Sequence, residues 1–349
     1  MASRPKPPAV PLELWRRALE AALTFRTLAP WEWMDDSEIA VFVDAGGRPW
    51  FASVLGAAAQ VYGLVLYRGE AGLRLLQRTF AASDSTDWEE LRYTQDGLTI
   101  WFGPKSELRK EERDRYAALD YRPARGARLA WPSFLDHRPG CVPWVPEAGD
   151  VAWLVEVFPA MASFAELVRA HPDLSENRGQ FEYPLISLKN PPSNPNTLDW
   201  RLWDAGPERH PSQTVHIDDP AIVARIRALP VGPTVSWDVD WFYLPEGVVD
   251  GGRPYYPRSF QIFETRSGVC LAMDVINATD NVVKRAVNQL IGLMLRSGGI
   301  PRRVRVRRSE LVAALQPWLA GLGSGVELAD RLESAEEFRR GMMQFMGRV

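Results

Sequence analysis

Apolar residues at Leu12, Trp15, Leu19 and Leu23 recur at helical spacing, and Pro30 marks the end of that helix. β-prone runs follow at 39–43, 50–54 and 62–67, with Gly46-Gly47 as the turn between the first two. A second hairpin is expected around Asp96-Gly97, joining 91–94 with 98–102. The stretch 105–119 is rich in charge and poor in apolar positions, the pattern of a solvated helix. A helical pattern then runs over 147–170 with Pro159 inside it.

The clearest interruption is Asn190 to Thr197, where three prolines and three asparagines in eight residues sustain neither helix nor central strand. It divides the chain into a tail (1–8), an α+β module (9–189), a Pro/Asn-rich connector (190–215) and a second module (216–349). In the second module Asp218-Asp219-Pro220 starts a helix over 222–229. Strands follow at 234–244, 259–265 and 269–276, the last two turning at Ser267-Gly268. Val282, Val283, Ala286, Val287, Leu290, Ile291 and Met294 mark an amphipathic helix stopped by Gly298-Gly299. A strand carrying Val304 and Val306, a helix over 311–322, a strand at 326–328 and a helix over 334–346 complete the order β-β-β-α-β-α-β-α. That order makes an α/β mixed-sheet module with helices on both faces.

The chain has 349 residues, enough for two cores, and its 41 Lys plus Arg against 44 Asp plus Glu leave a net charge of -3. No global positive field draws it to nucleic acid or anionic lipid. Only Cys141 and Cys270 are present, too few for a disulfide framework or a thiolate zinc site. No secretory leader is read at the N-terminus. The apolar stretch 152–168 is broken by Glu156, Pro159 and Glu166, so no membrane partner is expected and the expected location is the cytoplasm.

Three segments of the second module resemble the core of transposases and retroviral-type integrases. They are Trp237-Asp238-Val239-Asp240, Gly268-Val269-Cys270-Leu271-Ala272, and Gly299-Ile300-Pro301-Arg302-Arg303-Val304-Arg305-Val306-Arg307. The resemblance implies a ribonuclease H-like fold. It also implies a second acidic residue where this chain has Arg307. The chain as a whole resembles a bacterial two-domain family built of two adjoining domains of unknown function. The first domain is marked by Pro30-Trp31-Glu32-Trp33-Met34, by Phe51-Ala52-Ser53-Val54-Leu55-Gly56 with Tyr62-Gly63-Leu64, and by Arg138-Pro139-Gly140-Cys141-Val142-Pro143-Trp144. That second resemblance implies architecture and no chemistry.

Alternation along the first strand of the second module puts Asp238 and Asp240 on one face, about 6.5 Å apart at Cα, close enough to share one Mg²⁺ or Mn²⁺. With Asp274 or a late glutamate (Glu333, Glu336 or Glu337), they would form a two-metal nuclease or phosphodiesterase site. A cation at Arg307 opposes this, and the first expectation is two aspartates solvating an exposed or edge strand. Arg302, Arg303, Arg305, Arg307 and Arg308 place five guanidiniums in seven residues. Arg303, Arg305 and Arg307 share one face, where they either pair with the aspartates or contact phosphates. Trp31, Trp33 and Trp50 with Tyr255 and Tyr256 are candidates for an aromatic cleft, with core packing as the competing role. His137, His171, His210 and His216 fall on expected loops without a metal motif, Ser53 lies outside any nucleophile elbow, and Gly321 to Gly325 reads as a helix stop. The resulting expectation is a non-enzymatic binding protein needing no cofactor, with Arg303, Arg305 and Arg307 as its contact to a protein or nucleic acid. The alternative is a Mg²⁺- or Mn²⁺-dependent nuclease using Asp238, Asp240, Asp274 and Glu337.

Overall fold

The structure, a computed structural model, describes residues 8–82, 88–124, 126–174, 179, 181–188, 199–206, 217, 219–250, 252–278 and 280–347. The chain is α+β and divides into two compact units, Ser3–Glu208 with Gly251–Arg253, and Arg209–Asp250 with Pro254–Val349.

In the first unit, helix α1 (Leu12–Leu28) buries Trp15, Ala18, Leu19, Ala22 and Phe25, a single stripe at helical spacing. It ends where Ala29 turns left-handed (φ 53°) and Pro30 lacks the N–H that another turn requires. Seven strands form one sheet: β1 (Ala40–Val43), β2 (Pro49–Leu55), β3 (Tyr62–Arg68), β4 (Gly97–Gly103), β5 (Trp131–His137), β6 (Glu182–Ile186) and β7 (Trp200–Asp204). Their order is β5-β4-β3-β2-β1-β6-β7, with β1 and β6 parallel and the other neighbours antiparallel. Alternation sends Trp50, Ala52 and Val54 into the core shared with α1 and α5 (Ala148–Ala170). Phe51 enters a smaller core with Leu73 and Leu76 of α2 (Gly69–Phe80).

Several expectations change here. Residues 91–93 belong to a short helix, α3 (Trp88–Tyr93), and not to a hairpin strand; β4 pairs instead with β3 and β5. Gly97 opens β4 because a Cβ there would lie 2.0 Å from the Leu66 carbonyl oxygen, so only glycine permits this strand contact. The segment 190–215 contains strand β7, and its Pro/Asn stretch lies outside the described residues. Helix α5 runs unbroken through Pro159 and is long and apolar enough to cross a membrane. More than half of its most apolar window is buried inside the unit, among them Leu154, Phe158 and Phe164.

The charged stretch 105–119 folds as a helical turn and helix α4 (Lys110–Ala118), and it is not fully solvated. Tyr116 and Glu112 are each 2 % exposed. The Glu112 carboxylate accepts from the Phe134 N–H on edge strand β5 (3.2 Å), from Ser133 Oγ (2.7 Å) and from the Arg109 N–H (3.0 Å). An edge strand leaves backbone donors without a neighbouring strand, and Glu112 supplies an acceptor for one of them. Glu112→Ala leaves three donors without this acceptor. It should lower unfolding free energy by about 2–4 kcal/mol in urea titrations, with Glu112→Gln costing less.

The second unit is a five-stranded sheet of β8 (Ser236–Tyr243), β9 (Arg258–Glu264), β10 (Cys270–Ile276), β11 (Arg303–Val306) and β12 (Gly325–Leu328). Its order is β10-β9-β8-β11-β12. The first three strands form an antiparallel meander, and β11 and β12 run parallel to β8. Helices α6 (Pro220–Arg227), α7 (Val282–Ser297) and α8 (Ser309–Ala320) cover one face, burying Trp237, Val239, Trp241, Phe260, Ile262, Val304 and Val306. Asp219 caps α6 by accepting from the Ala221 N–H at 2.8 Å, and Gly298 (φ 68°) closes α7. Helix α9 (Glu333–Met346) lies on the other face, with Ala335 and Phe338 against Phe263.

Candidate functional site

Strand β8 is the middle strand of its sheet and buried almost throughout, so Asp238 and Asp240 do not solvate an edge: they are 1 % and 3 % exposed. The core takes Trp237, Val239 and Trp241 from one face of β8, which turns both carboxylates to the opposite face. Parallel pairing sets Arg305 of β11 beside Asp238. Arg305 Nη1 lies 3.5 Å from Asp238 Oδ1, which also accepts from Thr265 Oγ1 at 2.7 Å. Burial pushes the Asp238 carboxyl above the ordinary aspartate value, against the opposing pull of the Thr265 hydrogen bond and the Arg305 charge. Arg305 also donates to the Arg331 carbonyl (3.0 Å) and lies 3.7 Å from Glu333.

Asp240 is held more tightly. Arg307 donates to Asp240 Oδ2 from Nε (2.9 Å) and Nη2 (2.8 Å), and Arg308 Nη1 donates to Oδ1. The Arg308 guanidinium also stacks 4.1 Å from the centre of the Trp241 ring. Both carboxylate oxygens are therefore covered by cations. Arg303 is exposed and paired with Glu327 of β12, and Arg302 is exposed beside it.

Of the remaining acidic candidates, Glu333 comes near the pair, through the Arg305 it shares with Asp238, and the others lie elsewhere. Asp274 of β10 pairs in register with Phe260, on the helix-covered face opposite the two aspartates. There it meets Gln289 (3.2 Å) and Arg285 (3.4 Å) of α7. Glu337 is exposed on α9, Glu336 pairs with Arg331, and Glu333 is spent on Arg305. Among the described residues no group of three or more His, Cys, Asp or Glu is arranged to hold a metal ion. Mg²⁺ or Mn²⁺ does not fit the Asp238–Asp240 pair, because both carboxylates already face guanidiniums and the nearby Glu333 meets Asp238 only through Arg305.

The aromatic candidates separate as well. Trp31 is 8 % exposed and packs against Tyr62 and Phe102, a core role. Trp33 donates its indole N–H to the Ala165 carbonyl (3.0 Å) beneath the Arg169 guanidinium, and Trp50 is buried against Trp153. In the second unit Tyr255 donates to Asn277 Oδ1 (2.8 Å), and Tyr256 is half-buried. Ser53 donates to the Asp36 carbonyl, and Gly321 caps α8 as a helix stop. His171 follows the end of α5, while His210 and His216 lie outside the described residues.

Residues 15–184 match the family model of a domain of unknown function (DUF7309), and residues 222–343 match that of a second (DUF6930). Two adjoining domains of unknown function thus cover most of the chain. Neither a curated protein nor a solved structure matches it.

The DUF7309 unit holds a buried charge cluster that sequence reasoning missed. Asp136 on β5, 1 % exposed, binds Arg68 of β3 (2.8 Å), Arg138 (2.9 Å) and Arg253 (2.5 Å); Arg253 belongs to the Gly251–Arg253 stretch grouped with this unit. Burial raises the Asp136 carboxyl, but the Arg68 hydrogen bond and the surrounding arginine charges outweigh it and hold the group below the ordinary value. Asp96 and Asp150, which share Arg68, are pushed up by burial. The only sequence signal was Arg68 and Asp136 interrupting otherwise apolar strands. His137, expected on a loop, is the last residue of β5. Its Nε2 is 2.9 Å from Thr99 Oγ1, and burial pushes its pKa down to about 4.

Two outcomes follow from these charges. Arg307→Ala with Arg308→Ala strips the Asp240 carboxylate of its cations and should cost about 3–5 kcal/mol in urea unfolding; adding Asp240→Asn should recover part of it. His137 stays neutral in the fold at pH values where the unfolded chain, with its ordinary value of 6.5, takes up a proton. Its contribution is thus complete above pH 6.5 and is lost as pH falls toward about 4. Thermal melts across this window should show a shallower decline for His137→Gln than for the native protein.

Proposed function

We propose that the protein is a non-enzymatic binding protein of the cytoplasm whose second unit is a degenerate ribonuclease H-like module. The strand order β10-β9-β8-β11-β12, an antiparallel meander with two parallel strands added on the far side of β8, supports the fold assignment. One observation carries the loss of chemistry. The acidic pair that such a module would use to hold divalent ions, Asp238 and Asp240, is neutralised by Arg305, Arg307 and Arg308 from the neighbouring strand and its exit. Guanidiniums at the ligand oxygens supply the positive charge a metal would bring, without its open coordination positions.

A nucleic-acid partner has narrower support than the arginine run implied. Arg305 and Arg307 are committed to the aspartates, leaving Arg302 and the Glu327-paired Arg303 as the exposed cations of the run. A protein partner is therefore the favoured occupant.

Thermal shift and cleavage assays test this directly. Millimolar Mg²⁺ or Mn²⁺ should leave the melting temperature unchanged, and a labelled oligonucleotide should survive incubation with either ion. Metal-dependent stabilisation that disappears in Asp240→Asn, or metal-dependent cleavage, would reinstate the nuclease. Salt-sensitive oligonucleotide affinity lost in Arg303→Ala would make nucleic acid the partner.

A further inference from the structure

The first unit contains a cleft of about 980 Å³ beside the β4–β5 end of its sheet, independent of the acidic pair discussed above. Its floor is Trp101, on the sheet face shared with Ser133 and Leu135. Trp101 lies opposite Gly63 in the β3–β4 register, and a Cβ on Gly63 would come within 2.9 Å of Trp101 Cε3 and 2.3 Å of the Ile100 carbonyl oxygen. The missing side chain lets the indole lie down over β3. Trp101 is only partly buried and lines the cleft, so part of its indole is open to that space. Large aromatic rings in cores normally have both faces packed, and this one is left available for stacking.

Two guanidiniums stand around the same space. Arg109 spends one nitrogen on the Pro143 carbonyl, and Arg128 is exposed. Neither forms an ion pair with a described carboxylate within 4.0 Å, whereas Glu112, the nearest buried acid, is saturated by Ser133, Phe134 and Arg109 donors. Glu107 tucks against Gly103 at one margin, where a Cβ would lie 2.7 Å from its carboxylate, and it offers an acceptor to a ligand N–H or O–H. A partly exposed indole and two guanidiniums without carboxylate partners lining one cleft suit a planar group that carries an anion.

We infer that the Trp101 cleft of the first unit binds an aromatic anion, its ring stacked on Trp101 and its acidic group held by Arg109 and Arg128. The anion is of the carboxylate, sulfonate or phosphate class, which the two guanidiniums bind alike.

The probe is 1-anilinonaphthalene-8-sulfonate, titrated into the full chain by fluorescence with calorimetric stoichiometry, beside its uncharged analogue N-phenyl-1-naphthylamine. The sulfonate should bind saturably at one site, at least about tenfold more tightly than the analogue. Arg128→Glu, at an exposed position, should leave the melting temperature unchanged and weaken the sulfonate about tenfold or more. Arg109→Gln and Trp101→Leu should weaken it as well. No saturable binding, equal binding of the charged and uncharged probes, or native affinity in Arg128→Glu would overturn the assignment. Because Arg128 bears no structural load, the last outcome stays readable even if Trp101→Leu fails to fold.

Discussion

Two carboxylates on the central strand of a covered sheet cannot remain charged without partners, and the second unit is arranged around that constraint. Asp238 and Asp240 sit at positions where neighbouring strands exclude water. The compensation comes from the adjacent parallel strand, whose alternating valines enter the helix-covered core and whose alternating arginines reach the acids. Arg308 adds a stacking contact on Trp241, linking the charged face of β8 to its apolar one. The ion pairs thus specify the register of β8 against β11: a shift by one residue would bury arginines among the core side chains and leave both acids unpaired.

The same solution appears in the first unit with different residues. Asp136 and Arg68 occupy neighbouring regions of one sheet and are joined by Arg138, Asp96 and Asp150 into a network with little exposure at its centre. Glu112 treats the edge of that sheet in the neutral-donor version of the same logic, accepting from backbone and hydroxyl groups where no strand follows. Buried charge in this protein serves packing order and strand register. The cleft over Trp101 differs in that its two guanidiniums, Arg109 and Arg128, have no described carboxylate partner.

The amino-acid sequence was sufficient for the elements whose periodicity is strong. Helix α1, strands β1 to β3, and the whole succession from α6 to α9 follow from apolar spacing, glycine stops and the Asp218-Asp219-Pro220 start, because each of those signals acts within a few residues. It also named both aspartates and the arginines that meet them, and it placed the two acids on one face. Local signals failed where the deciding contact is distant. Gly97 reads as a turn residue in the sequence but opens β4 against the Leu66 carbonyl, and 91–93 lie in a helix rather than a strand. Strand β7 was hidden in a segment read as connector because its reason for being a strand is β6.

Which face is covered, and what stands opposite each charged group, was decided only by the tertiary structure. Alternation says that Asp238 and Asp240 point the same way, but strand order makes β8 central and thereby converts two apparently solvated acids into buried ones. Alternation likewise cannot tell that Asp274 faces away from them, since that depends on the antiparallel register of β10 with β9. The physical reason is common to all these cases: side-chain direction is a property of the local backbone, whereas burial, ion pairing and the space around Trp101 arise between segments far apart in the chain.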